Sequence, residues 1–231
     1  MRVAVVSKFD VNMNEKILAA GLEYSERNPE LVISLGGDGT LFRSERKYPG
    51  VPKLPIRGDS KHCKKCAVKS MNRAVLRRLA QGKYKIEKHI VLEATVRRGG
   101  KVIHKATCVN DFVLRNKEQI HALRFSVSVD GKAVGGELIG DGIVIATPFG
   151  SSAYFKSITG DSFKRGIGIA LNNLTEKVRH RVLGEGSKIK VRLFRCHGFL
   201  SSDNNPDMIG LEEGDLVEVK KSQRNWLIVK I

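Results

Sequence analysis

The sequence predicts a small α/β domain followed by a larger β-rich, sandwich-like domain, and three observations carry that prediction. Strand, helix and strand patterns succeed one another within the first 35 residues. The hydrophobic period then changes from helical to alternating after Gly82. Finally, turn signals separate short alternating runs through most of the remaining chain. These place a Rossmann-like α/β domain at residues 1–82 and a β-rich domain at residues 83–231.

The N-terminal elements follow in order. Arg2 to Val6 is a β-branched run. Asn12-Met13-Asn14-Glu15 resembles a capping box, and Met13, Ile17, Ala20 and Tyr24 recur at helical spacing up to Asn28-Pro29, where proline disfavours further helix. Leu31 to Leu35 reads as a second, buried strand, so the two strands are expected to be parallel with a right-handed crossover. Ser70 to Gln81 reads as another helix, capped by Ser70 and stopped by Gly82.

Beyond Gly82, Ile90, Leu92, Ala94 and Val96 alternate with polar neighbours, and Arg98-Gly99-Gly100-Lys101 turns the chain. Phe125, Val127 and Val129 alternate before Asp130-Gly131, a hairpin signal. Ile143 to Ala146, Ile189 to Phe194, Leu216 to Val219 and Trp226 to Val229 complete the expected strands.

The chain has 231 residues, with 41 Lys+Arg against 24 Asp+Glu and a net charge of +17. Such an excess suits nucleic acid, because cations displace condensed counterions from phosphates. The basic residues are dispersed, however. The runs Lys61 to Lys69 and Arg73 to Arg78 carry no interleaved aromatics, and at 6% aromatic residues a base-stacking platform is poorly supplied. A heavily charged surface accounts for the charge with fewer assumptions. No apolar run reaches the roughly 20 residues of a membrane span, and the N-terminus turns charged at once, so a cytoplasmic protein is expected.

Three blocks can carry chemistry. Leu35-Gly36-Gly37-Asp38-Gly39-Thr40 follows the second strand, at the position where α/β sheets bind ligands. Its glycines bare the backbone N–H groups to an anion around one carboxylate. It lacks the Gly-Lys-Ser/Thr of a Walker loop and the G-x-G-x-x-G dinucleotide fingerprint, and a plain turn into a helix stays open. Asn110-Asp111, the second block, gains its meaning only from the resemblance that the three blocks show together. The third runs from Gly140-Asp141-Gly142 through a buried strand to Thr147-Pro148-Phe149-Gly150-Ser151-Ser152-Ala153-Tyr154, presenting hydroxyls and bare backbone.

In order and spacing these blocks resemble the NAD kinase family, with its Gly-Gly-Asp-Gly-Thr loop, Asn-Glu or Asn-Asp pair, and Asp-Gly…Thr-Pro-x-Gly-Ser-Thr-Ala-Tyr stretch. The resemblance covers about residues 1 to 160. It implies an α/β domain and a β-rich domain with the site between them. The implied reaction is phosphate transfer from ATP or polyphosphate to the adenosine ribose 2′-hydroxyl of NAD, giving NADP, with Mg²⁺. Asp38 matches the catalytic carboxylate, and Gly36, Gly37, Gly39 and Thr40 the phosphate cradle. Asn110, Asp111, Asp141, Thr147, Ser152, Ala153 and Tyr154 match positions that bind NAD. A homo-oligomer, dimer or tetramer, is implied as well.

Departures from the family pattern are local. Pro55 to Cys63 keeps little of the family's interdomain Gly-x-Asn-x-Gly-x-Leu-Gly-Phe loop, Ser152 replaces Thr, and Phe149 replaces a small hydroxyl residue. They leave open a kinase of the same fold with another nucleoside or a lipid as acceptor. A basic, non-catalytic nucleic-acid-binding protein is the reading from a different class.

Cys63 and Cys66 have the C-x-x-C spacing of half a zinc site, which Cys196 and His197 would complete. The pair also suits a redox function or none. Cys108 is read as core. Asp203 and Asp207, separated by Asn204, Asn205 and Pro206, are read as a polar loop rather than a cation site.

Overall fold

The computed structural model describes residues 1–8, 12–58, 66 and 68–231. In chain order these form β1 (Arg2–Ser7), α1 (Asn14–Leu18), β2 (Glu23–Tyr24), β3 (Leu31–Leu35), α2 (Asp38–Lys47), β4 (Lys53–Ile56) and α3 (Arg73–Ala80). Next come β5 (Lys85–Arg98), β6 (Lys101–Cys108), β7 (Asp111–Asn116), β8 (Leu123–Val129), β9 (Lys132–Ala133), β10 (Leu138–Gly140), β11 (Gly142–Ala146) and α4 (Tyr154–Thr159). The chain closes with β12 (Ile167–Asn172), β13 (Arg181–Leu183), β14 (Ile189–Arg195), β15 (Gly198–Ser202), β16 (Ile209–Leu211) and β17 (Leu216–Lys230). Two compact units result: Met1–His89 with Arg224–Ile231, and Ile90–Gln223.

The first unit is a parallel sheet in the order β2, β1, β3, β4, with the end of β17 added beside β4 through Ile228 and Lys53. Its strands are near-continuous apolar runs because both faces are covered. Val3, Leu31, Ile33, Leu54 and Ile56 meet Ile17, Leu76 and Leu79 of the helices on one side, while Ala4, Val6 and Val32 pack with Tyr48 and Val51 on the other. A charged pair, Lys53 and Glu45, lies in this interior. The Lys53 side chain is fully buried and its ammonium donates to the Glu45 carboxylate and to the Tyr48 carbonyl. Glu45 is completed by Arg224, 3.1 Å away, and by the Gly50 N–H at 3.0 Å. Burial lowers the Lys53 pKa to about 8, against the raising effect of Glu45.

The second unit is a sandwich. One sheet runs β13, β12, β11, β7, β15, β16, antiparallel throughout. The other contains β10, β8 and β14 with the start of β17, and β9 on β8. Phe112, Leu114, Ile143, Ile145 and Ile169 of the first sheet pack against Phe125, Val127, Val191 and Val217 of the second. Alternation sends Val113, Val144, Ala146 and Ala170 to the opposite face, where Phe155 and Tyr154 at α4 cover them. That second apolar layer makes β11 buried at every position.

Four sequence expectations change in detail. The helix expected to reach Tyr24 stops at Leu18, because Gly21 takes a positive φ of 78° and turns the chain so that Tyr24 pairs with Val3 as β2. Asn12 does not cap that helix from the N-cap position. It accepts a hydrogen bond from the Asn14 N–H instead, 3.1 Å away. The helix expected from Ser70 begins at Arg73, since Asn72 is the N-cap and accepts from the Val75 N–H at 3.0 Å. Leu216 to Val219 and Trp226 to Val229 are one strand rather than two. The polar stretch between them looks like a break in sequence but forms part of the continuous β17. Both expected hairpin turns are present, with positive φ at Gly99 and Gly100 and at Asp130 and Gly131.

Candidate functional site

In the first unit, β3 ends at Leu35 and its carboxyl end opens directly into the Gly36–Thr40 loop. Gly36 adopts a φ of 151°, and a Cβ there would lie 2.5 Å from Thr40 Oγ1. Only glycine permits that approach, which lets Thr40 fold back and bury its side chain against the strand end. Gly37 is the N-cap of α2. It has no side chain with which to cap the first turn. Asp38 is the first residue of that helix and is half-exposed, while Gly39 is exposed.

Thr40, expected among the phosphate ligands, has its side chain turned toward Gly36. The sulfur of Cys66 lies 3.3 Å from the Gly36 carbonyl oxygen. Cys63 falls outside the described residues. Cys196 and His197 form the turn between β14 and β15, where Cys196 has a positive φ of 72°. Among the described residues no group of three or more His, Cys, Asp or Glu side chains is arranged to hold a metal.

In the second unit, Val109-Asn110-Asp111 crosses from β6 into β7 beside the residues that follow β11. Thr147 is fully buried. Its hydroxyl lies 2.7 Å from the Val109 carbonyl and 3.1 Å from that of Asn110, and accepts from the Gly150 N–H at 3.1 Å. The Thr147 N–H donates to the Asn110 carbonyl at 2.9 Å. Gly150 fits because its missing side chain makes room: a Cβ would fall 2.1 Å from the Asn110 carbonyl oxygen. The Ser151 hydroxyl bonds the Pro148 and Phe163 carbonyls, tying down the loop before α4.

The side chains of Asn110 and Asp111 are buried and paired, the amide donating to the carboxylate at 3.1 Å. That leaves Asn110 Oδ1 buried with no hydrogen-bond partner. Burial raises the Asp111 pKa to about 7; the neighbouring Asp203 charge adds to the rise and the Asn110 amide opposes it. Ser152 and Ala153 are exposed, and Tyr154 is half-buried.

Asp141 does not join this group within β11. It sits at the other end of the strand, six residues from Thr147 and so roughly 20 Å along an extended chain. There its carboxylate accepts from the Asn173 amide at 3.0 Å. Tyr154 reaches toward that end, its hydroxyl 3.3 Å from the Asn172 amide. The structure thus brings Asn110, Asp111, Thr147 and Gly150 together, and places Asp141 with Asn172 and Asn173.

Asp203 joins the first group although the sequence suggests only a loop. Its carboxylate accepts from the N–H groups of Val109 and Asn110 at 3.1 and 2.7 Å. Asn172, Asn173 and Asp203 carry no motif signal. The Asn172-Asn173 doublet at the end of an apolar run and the polar Ser202–Asp207 stretch would be the only prompts.

The chain thus has a β-sandwich that presents a buried amide–carboxylate pair and an α/β domain whose glycine loop opens a helix at a carboxylate. Comparison with known proteins makes this arrangement particular. Residues 109–231 match the family model for the ATP-NAD kinase C-terminal domain. An NAD kinase of Symbiobacterium thermophilum is 31% identical over 210 residues, covering 87% of this chain and 74% of that protein. An NAD kinase of Alcanivorax borkumensis is 29% identical over 201 residues, which cover 83% of this chain and 66% of that protein. The chain belongs to the NAD kinase family. Among solved structures, the fold matches a yeast NADH kinase complexed with NADH (TM-score 0.84, 17% identity, all of this chain and 83% of that one). It also matches an Archaeoglobus fulgidus NAD kinase in complex with ATP (TM-score 0.79, 18% identity, 99% and 93%). No helix among the described residues is long and apolar enough to cross a membrane.

Proposed function

We propose that this protein is an NAD kinase that transfers the terminal phosphoryl group of ATP to the 2′-hydroxyl of the adenosine ribose of NAD, giving NADP. Family membership supports the reaction class. The single observation that carries the acceptor is the buried Asn110–Asp111 pair, in which Asn110 Oδ1 lacks a partner. A buried acceptor of this kind costs free energy unless a ligand supplies the donor, and the adenine amino group is such a donor. Asp111 in its ionised form accepts from ribose hydroxyls, and the Tyr154 ring offers a flat face to a base.

Asp38 takes the proton of the 2′-hydroxyl as the phosphoryl group arrives. Half-exposed at the head of α2, its carboxylate is accessible to both a nucleophile and a phosphate. The positive end of the α2 dipole, at Gly37 and Asp38, would face the charge that accumulates on the transferring group. Mg²⁺ characteristically uses one or two carboxylates plus substrate phosphates, and Asp38 with a triphosphate meets that requirement. The ion would neutralise phosphate charge. Assembly as a homo-oligomer and a cytoplasmic location complete the proposal.

The test is NADP formation by the purified protein with NAD, Mg²⁺ and either ATP or polyphosphate. NADP with ATP, lost on chelation by EDTA and on Asp38→Ala, is the expected result. Absence of NADP with both donors, together with absence of NAD binding, overturns it. Activity with polyphosphate alone would reassign the donor, and sedimentation at the monomer mass would remove the oligomer.

A further inference from the structure

We propose that Asp203 is a positioning residue for nucleotide recognition, its carboxylate gathering the backbone N–H groups of Val109, Asn110 and Asp111 so that the Asn110 and Asp111 side chains are presented in one fixed geometry. The proposal rests on the reading that these two side chains bind the adenosine portion of NAD.

The geometry is specific. Both Asp203 carboxylate oxygens lie 3.1 Å from the Val109 N–H nitrogen, and Oδ1 accepts from Asn110 at 2.7 Å and from Asp111 at a longer 3.4 Å. The Asp203 N–H in turn donates to the Asp111 carbonyl at 3.0 Å. Asp203 holds this position with a positive φ of 50°, in the turn from β15 to β16. Successive N–H groups converging on one carboxylate form an anion nest, here filled from within the chain. Charge-assisted bonds of this kind are stronger than neutral ones, and the N–H groups would otherwise be buried without partners. Thr147 holds the carbonyls of the first two of these residues, Val109 and Asn110. The recognition segment is therefore clamped on its N–H edge by Asp203 and on its C=O edge by Thr147.

The clamp also has an electrostatic consequence, because it fixes a negative charge beside Asp111. The titratable groups facing the Asp111 carboxyl are Asp203 from the β15–β16 turn and the buried Cys108 thiol at the end of β6. Burial, with Asp203 and Asp111 adding to it, pushes that thiol well up. Next to Asp111, β11 presents Ala146 and then Thr147, neither of which titrates. The acceptor role and the charge of Asp203 can thus be separated. Asp203→Asn keeps one acceptor oxygen and loses the charge, whereas Asp203→Ala loses both.

The experiment measures steady-state kinetics and NAD binding across pH 5.5–8.5 for the full chain and both variants, with melting temperatures alongside. Asp203→Ala is expected to raise KM for NAD by about 10–100-fold while KM for ATP stays within about twofold. Asp203→Asn is expected to recover most of that loss and to move the acidic limb of NAD binding downward by about half a pH unit or more. An unchanged KM for NAD in Asp203→Ala overturns the proposal, as does an equal rise in both KM values accompanied by a fall in melting temperature. Should the alanine variant fail to fold, Asp203→Asn decides: an acidic limb identical to that of the parent overturns the proposal. A second readout needs no nucleotide, namely the Asp111 carboxyl followed by carbon NMR and assigned with Asp111→Asn. Its midpoint should fall in Asp203→Asn. If the parent protein forms no NADP, the kinase reading fails by itself; a lowered midpoint then still supports the Asp203–Asp111 coupling, and an unmoved one overturns that too.

Discussion

The Gly36–Thr40 loop and the Asn110–Asp111 segment solve opposite problems. The loop is bare: glycine at the N-cap, glycine after the carboxylate, and Asp38 half-exposed at the head of α2. The segment is closed, with N–H groups, carbonyls and side chains tied to Asp203, Thr147 and one another, leaving Asn110 Oδ1 without a partner. A transferring phosphoryl group moves and changes charge, so its surroundings need donors that are aimed but not yet spent. A bound adenosine does not change during the reaction, so the groups that read it gain from being locked beforehand. On the proposed reading, the chain keeps chemistry on a glycine-rich, partly exposed loop and recognition on a segment held by side chains.

That contrast fails most visibly at Asp38. If the loop is the chemical half, Asp38→Asn lowers kcat by about 10³-fold, within the range for loss of a general base. KM for NAD and the melting temperature should move little, because the side chain is half-exposed. A loss in KM rather than kcat would place Asp38 in recognition and erase the distinction.

The closed half is expected to break by stability instead. Gly142 opens β11 with a φ of 139°, and a Cβ there would lie 1.9 Å from the Leu114 carbonyl oxygen, backbone that cannot yield like a side chain. Gly142→Ala should therefore cost about 3 kcal/mol or more, read from urea unfolding. The milder Gly150→Ala, aimed at the Asn110 carbonyl, should add a rise in KM for NAD. A neutral result at either position would show that the segment yields.

What the sequence made legible follows the same division. The Gly36–Thr40 block could be read because bare backbone has a composition: three glycines around one acid can hardly mean much else than a turn or an anion site. Asn110, Thr147 and Gly150 were legible only through resemblance to a family, since a locked polar segment uses ordinary residues. Asp203 was not legible, because its partners lie more than 90 positions away and only β15 pairing beside β7 brings it to them. In the fold, parallel β1 and β3 and both hairpin turns follow from local patterns. The return of β17 to the first unit does not, because Lys220 to Asn225 reads as a polar break. Lys53 was likewise invisible, since a lysine opening the Lys53–Ile56 strand looks like an exposed edge, and the Glu45 carboxylate and Tyr48 carbonyl that accept from it are not readable in sequence.

Lys53 supplies a control that belongs to neither half. Removing one member of a buried ion pair leaves the other charge uncompensated, but here Arg224 and the Gly50 N–H remain on Glu45. Lys53→Met should therefore cost about 2–3 kcal/mol, somewhat below the usual range for such a break. The pH dependence has a definite sign. With a pKa lowered to about 8 in the folded protein against 10.5 ordinarily, the unfolded chain binds more protons between those values. The parent should gain stability relative to Lys53→Met as pH rises from 8 toward 10.5, and a gap that narrows over that window would contradict the burial assigned to Lys53.

The smallest effect tests whether the closed half is held at a cost. The Asp111 pKa is raised to about 7 from the ordinary 3.8, burial being the main cause and Asp203 the second. A carboxyl raised in this way binds more protons in the folded protein than in the unfolded one, so stability falls as pH climbs through that interval and the deficit is full above pH 7. Asp111→Asn removes the charge while keeping the shape, and should stabilise the protein by about 1–2 kcal/mol at pH 8, with the gain vanishing near pH 4. The same substitution should weaken NAD binding if, as proposed, the carboxylate accepts from ribose hydroxyls, because an amide offers only one acceptor oxygen. Chemical denaturation at the two pH values, beside calorimetric NAD titration at pH 8, measures both sides. A variant that is more stable yet binds less tightly marks Asp111 as a charge retained for its ligand. One that loses stability at pH 8 would instead make the carboxylate part of the scaffold, and the recognition segment would then be locked for the fold's sake alone.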